Sequence, residues 1–251
     1  MILLVDIGNS RVKWALSDGG VFQEQGAAAH KGAPIGDVFT AAWGSLATPR
    51  RVLAANVAGN AVAAALRAWA NVAWGLDVEF LVPRRKACGV TNAYIEPQRL
   101  GADRWAALIG AHKRVPGNVC VIDCGSAVTL DVLDAKGQHL GGLIIPGLAM
   151  MHNALFQNTG GITEQAVAKG DNKVSVLARD TQGAVTGGAL YTLIAVIDRV
   201  TADLASDLQS PLTRVICGGD AERLLSLLAD NYRHEPDLVL HGLAIIAETA
   251  K

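Results

Sequence analysis

A short motif occurs twice in the sequence, once in each half of the chain, and it constrains the fold more than any other feature. The first copy covers residues 5–14 (VDIGNSRVKW) and the second covers residues 122–131 (IDCGSAVTLD). In both copies an apolar strand runs into Asp-x-Gly, a small polar turn follows, and an alternating strand resumes, which is typical of a β-hairpin. The repeat therefore predicts two related domains, each with its own hairpin loop.

The chemistry of these turns indicates a phosphorylated ligand. Gly8 and Gly125 let the backbone approach a ligand closely, and the N–H groups of such turns donate to phosphate oxygens. Asp6 and Asp123 would repel bare phosphate, but they suit a cation bound to it. An aspartate before glycine is by itself a common turn former, and the duplication favours a functional role. We expect a nucleoside triphosphate with a divalent metal, gripped between the two domains.

Composition excludes several classes of function. The chain has 251 residues, of which 51% are hydrophobic, so it can form two cores of ordinary size. The net charge is −1, and the basic run at residues 84–86 is typical of a solvated loop, so we expect no nucleic-acid partner. The apolar start at residues 1–5 reaches Asp6 at once and predicts a strand rather than an export signal. No membrane-spanning segment is predicted, and the four cysteines, without CxxC spacing, indicate reduced core residues in a cytoplasmic protein.

Strands and helices are expected to alternate along the chain. Residue patterns predict the following strands: 2–7, 11–17, 51–56, 78–83, 119–124, 127–133, 139–145 and 213–217. They predict helices at 59–73, 101–114 and 183–207, a further helix from Ala221 and a short last one. The Pro-Gly-Asn sequence at 116–118 breaks the chain into an N-terminal domain (1–116) and a C-terminal domain (117–251). The predicted class is α/β in both halves.

The usual glycine-rich nucleotide motifs are absent from the sequence. It contains neither a Walker-type loop nor a Gly-x-Gly-x-x-Gly fingerprint, so a nucleotide must be held differently. Duplicated Asp-x-Gly hairpins, followed late in the chain by a strand and by Gly218 and Gly219, resemble the superfamily of actin, sugar kinases and acetate kinase. That resemblance implies two related domains of the actin-like ATPase (ribonuclease H-like) type, with mixed sheets flanked by helices.

A closer resemblance covers essentially the whole chain. Four motifs occur in the order found in the type III pantothenate kinases, which are related to the Bvg accessory factors: DxGNSxxKW at 6–14, GADR at 101–104, DxGSAxT at 123–129 and GG at 218–219. The resemblance implies ATP-dependent phosphorylation of pantothenate to 4′-phosphopantothenate, the first step of coenzyme A biosynthesis. One departure is Ser126, where the family usually has threonine, although serine keeps the hydroxyl group.

The resemblance also implies a set of residues that hold ATP and its cations. They are Asp6, Gly8, Asn9, Ser10, Lys13, Gly125, Ser126, Gly218 and Gly219. Asp6 would hold Mg²⁺ through the phosphates, and Asp123 would hold a monovalent cation, K⁺ or NH₄⁺. From the residues alone, Asn9 and Ser10 could instead cap the bend, and Lys13 could be a solvated strand residue.

A second set of residues is implied for pantothenate. Asp103 resembles the general base that takes the proton from the primary hydroxyl of pantothenate, and Gly101, Ala102 and Arg104 belong to the same motif. The guanidinium of Arg104 suits a substrate carboxylate. Read without the family, Asp103 and Arg104 form a surface ion pair at the start of a helix, where the helix dipole favours an acid.

Two further substrate contacts are implied at Tyr94 and Thr181. Tyr94 could equally pack at the base of a loop, and Thr181 could be an ordinary helix cap. Neither alternative excludes the contact with substrate.

Three functions remain open from the sequence. The first is the pantothenate kinase, and the second is another small-molecule kinase of the superfamily. The third is a nucleotide-binding regulatory or accessory protein that kept the fold and lost catalysis. Retention of Asp6, Asp103 and Asp123 favours an enzyme. The apolar helix at 183–207 and the pairing of relatives through this half predict a homodimer.

Overall fold

The computed structural model describes residues 1–162, 176–229 and 231–249. The fold is α/β, with two five-stranded sheets and flanking helices, as the sequence predicts. The strands of the first sheet are β1 (Ile2–Ile7), β2 (Arg11–Asp18), β3 (Val21–Ala29), β4 (Arg51–Asn56) and β5 (Val78–Phe80). A separate two-stranded ribbon is formed by β6 (Lys86–Ala87) and β7 (Val90–Thr91). The strands of the second sheet are β8 (Asn118–Cys124), β9 (Ala127–Leu133), β10 (His139–Pro146), β11 (Leu212–Cys217) and β12 (Arg233–His234).

The two large sheets have the same strand order. The first is ordered β3-β2-β1-β4-β5 and the second β10-β9-β8-β11-β12, so the first strand of each set is central. In the first sheet β1 pairs antiparallel with β2 and parallel with β4, which makes it a mixed sheet. In the second sheet β8 turns tightly into β9, while β11 and β12 are parallel. This shared topology agrees with the duplication that the repeated motif predicts.

The described residues include seven α-helices and one 3-10 turn. They are α1 (Ile35–Trp43), α2 (Asn60–Trp74), the 3-10 turn (Pro97–Arg99), α3 (Ala102–Arg114), α4 (Leu148–Asn158), α5 (Thr181–Leu208), α6 (Ala221–Leu225) and α7 (Leu238–Thr249). Helices α2, α3 and α5 confirm the predicted helices within two residues at each end.

The sequence patterns missed three longer elements, β3, α1 and α4, together with the short strands β6, β7 and β12 and the 3-10 turn. Strand β3 is an edge strand whose residues are mostly exposed, so it lacks the apolar alternation that marks a half-buried strand. Helix α1 follows Pro34 and carries a glycine in its first turn, and α4 lies in a segment rich in glycine and amides. Strand β5 also ends at Phe80, three residues before the predicted end at Pro83.

The chain divides into two compact units. Unit 1 comprises Met1–Val119, Asp131–Gly141 and Asp237–Lys251, and unit 2 comprises Cys120–Leu130 and Gly142–Pro236. The division into two related domains at residues 116 and 117 stays a prediction.

The core of unit 1 lies between the first sheet and helices α1 and α2. Its apolar residues come from β1, β2 and β4 and from the two helices, and Phe39 and Trp43 of α1 stack with ring centroids 5.0 Å apart. Helix α3 is buried on almost every side and packs on α7. Gly110 and Gly242 face the partner helix so closely that a Cβ atom at Gly110 would lie 2.6 Å from the carbonyl oxygen of Leu238. Two glycines therefore permit this close helix packing.

Unit 2 is built around α5. This helix has a buried stripe that includes Leu190, Leu193 and Ile197, and it packs on α4. By length and composition alone α5 is apolar enough to cross a membrane, a test that the core helix of a soluble protein also passes. The expected lack of a membrane segment stays a prediction.

The four cysteines are free thiols. Cys120, Cys124 and Cys217 are buried, and burial raises the pKa of the Cys124 thiol far above its usual range. Cys88 is only half-buried, so the expectation of a core position is wrong for this residue.

Candidate active site

The first hairpin loop lies at the end of the central strand β1, in unit 1. The N–H of Gly8 donates to the carbonyl of Arg11 at 3.0 Å and closes the turn. His30 at the end of β3 bonds twice to this loop: its imidazole Nε2 lies 2.8 Å from the carbonyl oxygen of Gly8, and its N–H donates to the carbonyl of Ser10 at 3.1 Å. His30 was not among the predicted residues, because it follows the poorly patterned strand β3 and its partner Gly8 is more than 20 positions away.

Asp6 and Lys13 are direct cross-strand partners. They face each other in the antiparallel register of β1 and β2, and both are half-buried. Residues directly opposite in this register project to the same side of the sheet, so opposite charges stabilise each other there. Asp6 and Lys13 are the only charged residues among the predicted ATP contacts of this hairpin, and they lie side by side. Asn9 is exposed at the tip of the loop.

The second hairpin loop lies at the end of β8, in unit 2, and closes in the same way. The N–H of Gly125 donates to the carbonyl of Ala127 at 3.1 Å. The carbonyl of Ser126 accepts the N–H of Gly147 at 3.1 Å, at the start of α4. Asp123, Gly125 and Ser126 are all half-buried.

The late glycine pair lies against this second loop. Gly218 has a φ of +95°, and a Cβ atom there would lie 2.5 Å from Oδ1 of Asp123 and closer still to the carbonyl oxygen of Cys124. The N–H of Asp220 donates to the same Cys124 carbonyl at 2.9 Å. The structure therefore places Gly218 beside Asp123. Only glycine fits position 218 without strain.

The donor groups near the two loops are compatible with cations that arrive with a nucleotide. Among the described residues no group of three His, Cys, Asp or Glu side chains could hold a metal ion. Magnesium in phosphoryl-transfer sites commonly binds one or two carboxylates plus substrate phosphates, so a single carboxylate such as Asp6 suits it. Asp123, beside the carbonyl-rich turn of residues 124–126, offers oxygen ligands of the kind that a larger monovalent cation takes.

The GADR motif forms the start of α3. Gly101 is the N-cap residue, and its carbonyl accepts the N–H of Trp105 at 2.9 Å. Asp103 lies in the first turn, where Oδ1 accepts the backbone N–H of Arg104 at 2.7 Å. A Cβ atom at position 101 would lie 2.5 Å from this oxygen, so glycine is required for the observed position of the carboxylate.

Burial is the main influence on the Asp103 carboxyl group. It raises the pKa of Asp103, while the N–H and the charge of Arg104 oppose the shift and the charge of Asp131 adds to it. A carboxylate with a raised pKa is a stronger proton acceptor than an exposed one. The expectation of a surface ion pair with Arg104 is wrong, because Arg104 is 6% exposed and its side chain binds elsewhere.

Arg104 is paired with Asp131, which was not among the predicted site residues. Nε of Arg104 donates to Oδ2 of Asp131 and Nη2 donates to Oδ1, both at 2.7 Å. Nη1 donates to the hydroxyl of Tyr94 at 3.0 Å, and Nε2 of His139 lies 2.9 Å from Oδ1 of Asp131. The pairing of Arg104 with a substrate carboxylate stays a prediction. Such a contact would have to use the N–H groups of Arg104 that do not donate to Asp131 or Tyr94.

Tyr94 and Thr181 occupy loop and helix-start positions. Tyr94 is half-buried, its N–H donates to Oδ1 of Asn92 at 2.9 Å, and its ring lies nearly parallel to that of His139. Thr181 is the exposed first residue of α5, in unit 2. The cap of this helix is Asp180, which accepts the N–H of Gly183 at 2.7 Å, so the interpretation of Thr181 as the cap is wrong.

The shifted pKa of Asp103 predicts a stabilising substitution. When folding raises the pKa of a carboxyl group, ionisation of that group lowers the stability of the folded protein. This cost is absent at a pH below the ordinary pKa and complete at a pH above the raised pKa. Asp103→Asn removes this cost. We expect the melting temperature at pH 7 to rise by about 2–4 °C, which corresponds to a gain of about 1 kcal/mol in the free energy of unfolding for a chain of this size. The gain should shrink toward zero near pH 4.

The matched control for this prediction is Asp37→Asn. Asp37 also lies in the first turn of a helix, α1, but it is exposed. Its substitution should leave the melting temperature nearly unchanged at both pH values. A stability of Asp103→Asn equal to that of the parent at pH 7, or a gain independent of pH, would contradict the role of burial.

Comparisons with known proteins agree on one family. Residues 2–203 match the profile of the family described as type III pantothenate kinase. A type III pantothenate kinase from Nitrosococcus oceani is 48% identical over 253 residues, covering 99% of this chain and 94% of the relative. A second from Burkholderia thailandensis is 38% identical over 260 residues, covering 99% of this chain and 98% of the relative.

Solved structures support the fold. A Campylobacter jejuni protein described as a Baf family transcriptional activator superposes with a TM-score of 0.61 at 20% identity, covering 99% of this chain and 98% of that one. A Sinorhizobium meliloti protein described as a 2-dehydro-3-deoxygalactonokinase superposes with a TM-score of 0.57 at 16% identity, covering 100% and 99%. The profile and the full-length relatives show that the chain belongs to the type III pantothenate kinase family.

Proposed function

We propose that this protein transfers the γ-phosphoryl group of ATP to the primary hydroxyl of pantothenate in the cytoplasm. The product would be 4′-phosphopantothenate, in the first step of coenzyme A biosynthesis. The observation that carries the proposal is the match to the pantothenate kinase family over almost the whole chain. The half-buried Asp103, held at the start of α3 with a raised pKa, supports it as a group able to accept the hydroxyl proton.

ATP would be held by the two hairpin loops and the late glycine pair. In unit 1 the proposed contacts are Asp6, Gly8, Asn9, Ser10 and Lys13, and in unit 2 they are Gly125, Ser126, Gly218 and Gly219. Tight turns present backbone N–H groups, and Lys13 supplies a compact positive charge for phosphate oxygens. Because Gly218 has no side chain, the space next to Oδ1 of Asp123 and the carbonyl oxygen of Cys124 is not filled by a Cβ atom.

Two cations complete this proposal. Asp6 would hold Mg²⁺ through the phosphates, and Asp123 would hold K⁺ or NH₄⁺. When bound, these ions would neutralise negative charge that develops on the transferred phosphoryl group. Lys13, directly opposite Asp6, would share in that task.

Pantothenate would lie at the start of α3. Asp103 would take the proton of the hydroxyl group and orient that group toward the γ-phosphate. Gly101 and Ala102 would shape the site, while Arg104, Tyr94 and Thr181 would bind the polar groups of the substrate. The hydrogen bond between Arg104 and Tyr94 supports a joint role for these two side chains.

The assay that tests the function is ADP release from ATP with a panel of acceptors. We expect turnover with pantothenate and not with sugars or short carboxylic acids. Asp103→Asn is nearly isosteric and keeps an acceptor oxygen, so it should lower kcat by on the order of 10²–10⁴-fold. Pantothenate binding in the presence of a non-hydrolysable ATP analogue, measured by calorimetry, should persist.

Asp37→Asn is again the control, because it changes a first-turn aspartate of another helix. It should turn over like the parent. An Asp103→Asn variant that is folded and turns over within a few-fold of the parent would remove Asp103 as the base. Turnover with a sugar in place of pantothenate would favour another kinase of the superfamily.

The monovalent cation has its own test. If Asp123 and the turn carbonyls bind K⁺, activity should fall at least about tenfold in a buffer with sodium only and recover with potassium or ammonium. The larger, weakly hydrated ions fit a cage of carbonyl and carboxylate oxygens better. Equal initial rates in the sodium and potassium buffers would remove the cation from the proposal.

We also propose that the protein is a homodimer that pairs through unit 2. Strand β10 is a sheet edge, and Leu143 and Ile144 on it are 47% and 64% exposed. Met150 of α4 and Tyr191 of α5 add exposed apolar surface, and these two helices pack on each other. An exposed apolar strand at a sheet edge is usually covered by a partner.

Ile144→Glu should therefore shift the protein from dimer to monomer in light scattering at micromolar concentration, because it buries a charge in the interface. The control is Val72→Glu on α2 of unit 1, where valine is 88% exposed. This control should leave the dimer intact. A monomeric parent protein would reject the proposal.

A further inference from the structure

Arg104, one of the proposed substrate contacts, forms a buried ion pair with Asp131. Arg104 is 6% exposed, Asp131 2% and His139 1%. Charged side chains this deep are costly unless they are fully paired, and one partner left alone costs far more than the pair. All three residues belong to unit 1, and the proposed function gives no role to Asp131 or His139.

Both carboxylate oxygens of Asp131 bind other side chains. Oδ2 accepts from Nε of Arg104, and Oδ1 accepts from Nη2 of Arg104 and lies 2.9 Å from Nε2 of His139. The N–H of Ala93 donates to Nδ1 of His139 at 3.4 Å, so a neutral imidazole would carry its proton on Nε2 and donate it to Asp131. Asp131 is thus suited to orienting its neighbours rather than to exchanging protons with a substrate.

The orientation of Arg104 follows from this pair. A guanidinium group is planar, and the two-point contact along its Nε and Nη2 edge fixes the plane. Nη1 then points to the hydroxyl of Tyr94, and the guanidinium carbon lies 5.7 Å from the centre of the Tyr94 ring. The loop of residues 93–94 is held from two sides, by His139 at Ala93 and by Arg104 at Tyr94.

We propose that Asp131 is a positioning residue for pantothenate binding and that His139 supports it. Asp131 holds Arg104, and through Arg104 the hydroxyl of Tyr94, in the orientation that the substrate requires. The inference rests on the proposed function of Arg104 and Tyr94 as substrate contacts.

Asp131→Asn is the first test. The amide group keeps the size of the carboxylate but directs an NH₂ group at an N–H donor of Arg104, so the guanidinium loses its fixed plane. We expect the KM for pantothenate to rise on the order of 10–100-fold, while the KM for ATP stays within about twofold. A general loss of structure would not separate the two substrates in this way.

The chain offers a matched control in a second two-point pair of the same unit. Nε and Nη2 of Arg51 donate to the two carboxylate oxygens of Glu79 at 2.7 and 2.8 Å, on strands β4 and β5. This pair is partly exposed and belongs to no proposed site. Glu79→Gln should leave both KM values unchanged.

Two substitutions of His139 give a rescue experiment. The side-chain amide of Gln can place a donor near the position of Nε2, so His139→Gln should keep the KM for pantothenate within about threefold. Leucine fills a similar volume but has no hydrogen-bond donor, so His139→Leu should raise the KM for pantothenate by about tenfold or more. Melting curves report whether each variant is folded.

Several outcomes would overturn the inference. One is a folded Asp131→Asn variant whose KM for pantothenate is within twofold of the parent, and another is an equal rise of both KM values. If Asp131→Asn does not fold, the His139 variants provide the test. Equal KM values for pantothenate in His139→Gln and His139→Leu would then contradict the inference. A parent protein that releases no ADP with pantothenate would reject the proposed function itself, and the inference with it.

Discussion

Each of the two large sheets depends on a central strand that is buried along most of its length and has a half-buried aspartate just before its last residue. Strand β1 lies between β2 and β4, and strand β8 lies in the middle of the second sheet. Asp6 and Asp123 are the half-buried residues near the end of these strands, and the glycine turns follow at once. A strand paired on both sides satisfies its own backbone hydrogen bonds, so its carboxyl end is where polar groups can point outward.

The adjacent residues Asp103 and Arg104 show how one helix separates two opposite charges. Consecutive residues of an α-helix point about 100° apart. Asp103 therefore remains half-buried at the helix start, while Arg104 turns inward to Asp131. The arginine is neutralised by a carboxylate on a different strand, and the neighbouring aspartate keeps a raised pKa in spite of the positive charge beside it.

Much of the fold could be predicted from the sequence, because the two hairpins and helices α2, α3 and α5 have strong local patterns. The placement of Gly218 beside Asp123 was not predicted, because the order of the motifs does not show which loop the late glycines approach. Strand β3 could not be predicted, since it is a mostly exposed edge strand without apolar alternation. Helix α1 was missed because it is only nine residues long, follows Pro34 and has a glycine in its first turn, although its apolar residues Phe39 and Trp43 are buried. Asp131, His139 and His30 were missed for another reason: each is recognised by a partner that is distant in sequence, such as Arg104 for Asp131 or Gly8 for His30.

The close packing of α3 on α7 has a consequence for how the chain folds during its synthesis. Helix α3 is translated before unit 2, but Leu238 and Gly242, which cover Gly110 and Ala106, are translated after it. Until α7 leaves the ribosome, one face of α3 has no apolar cover within unit 1. The earlier part of this unit must then wait in a partly assembled state, with apolar surface that chaperones recognise, while unit 2 is translated.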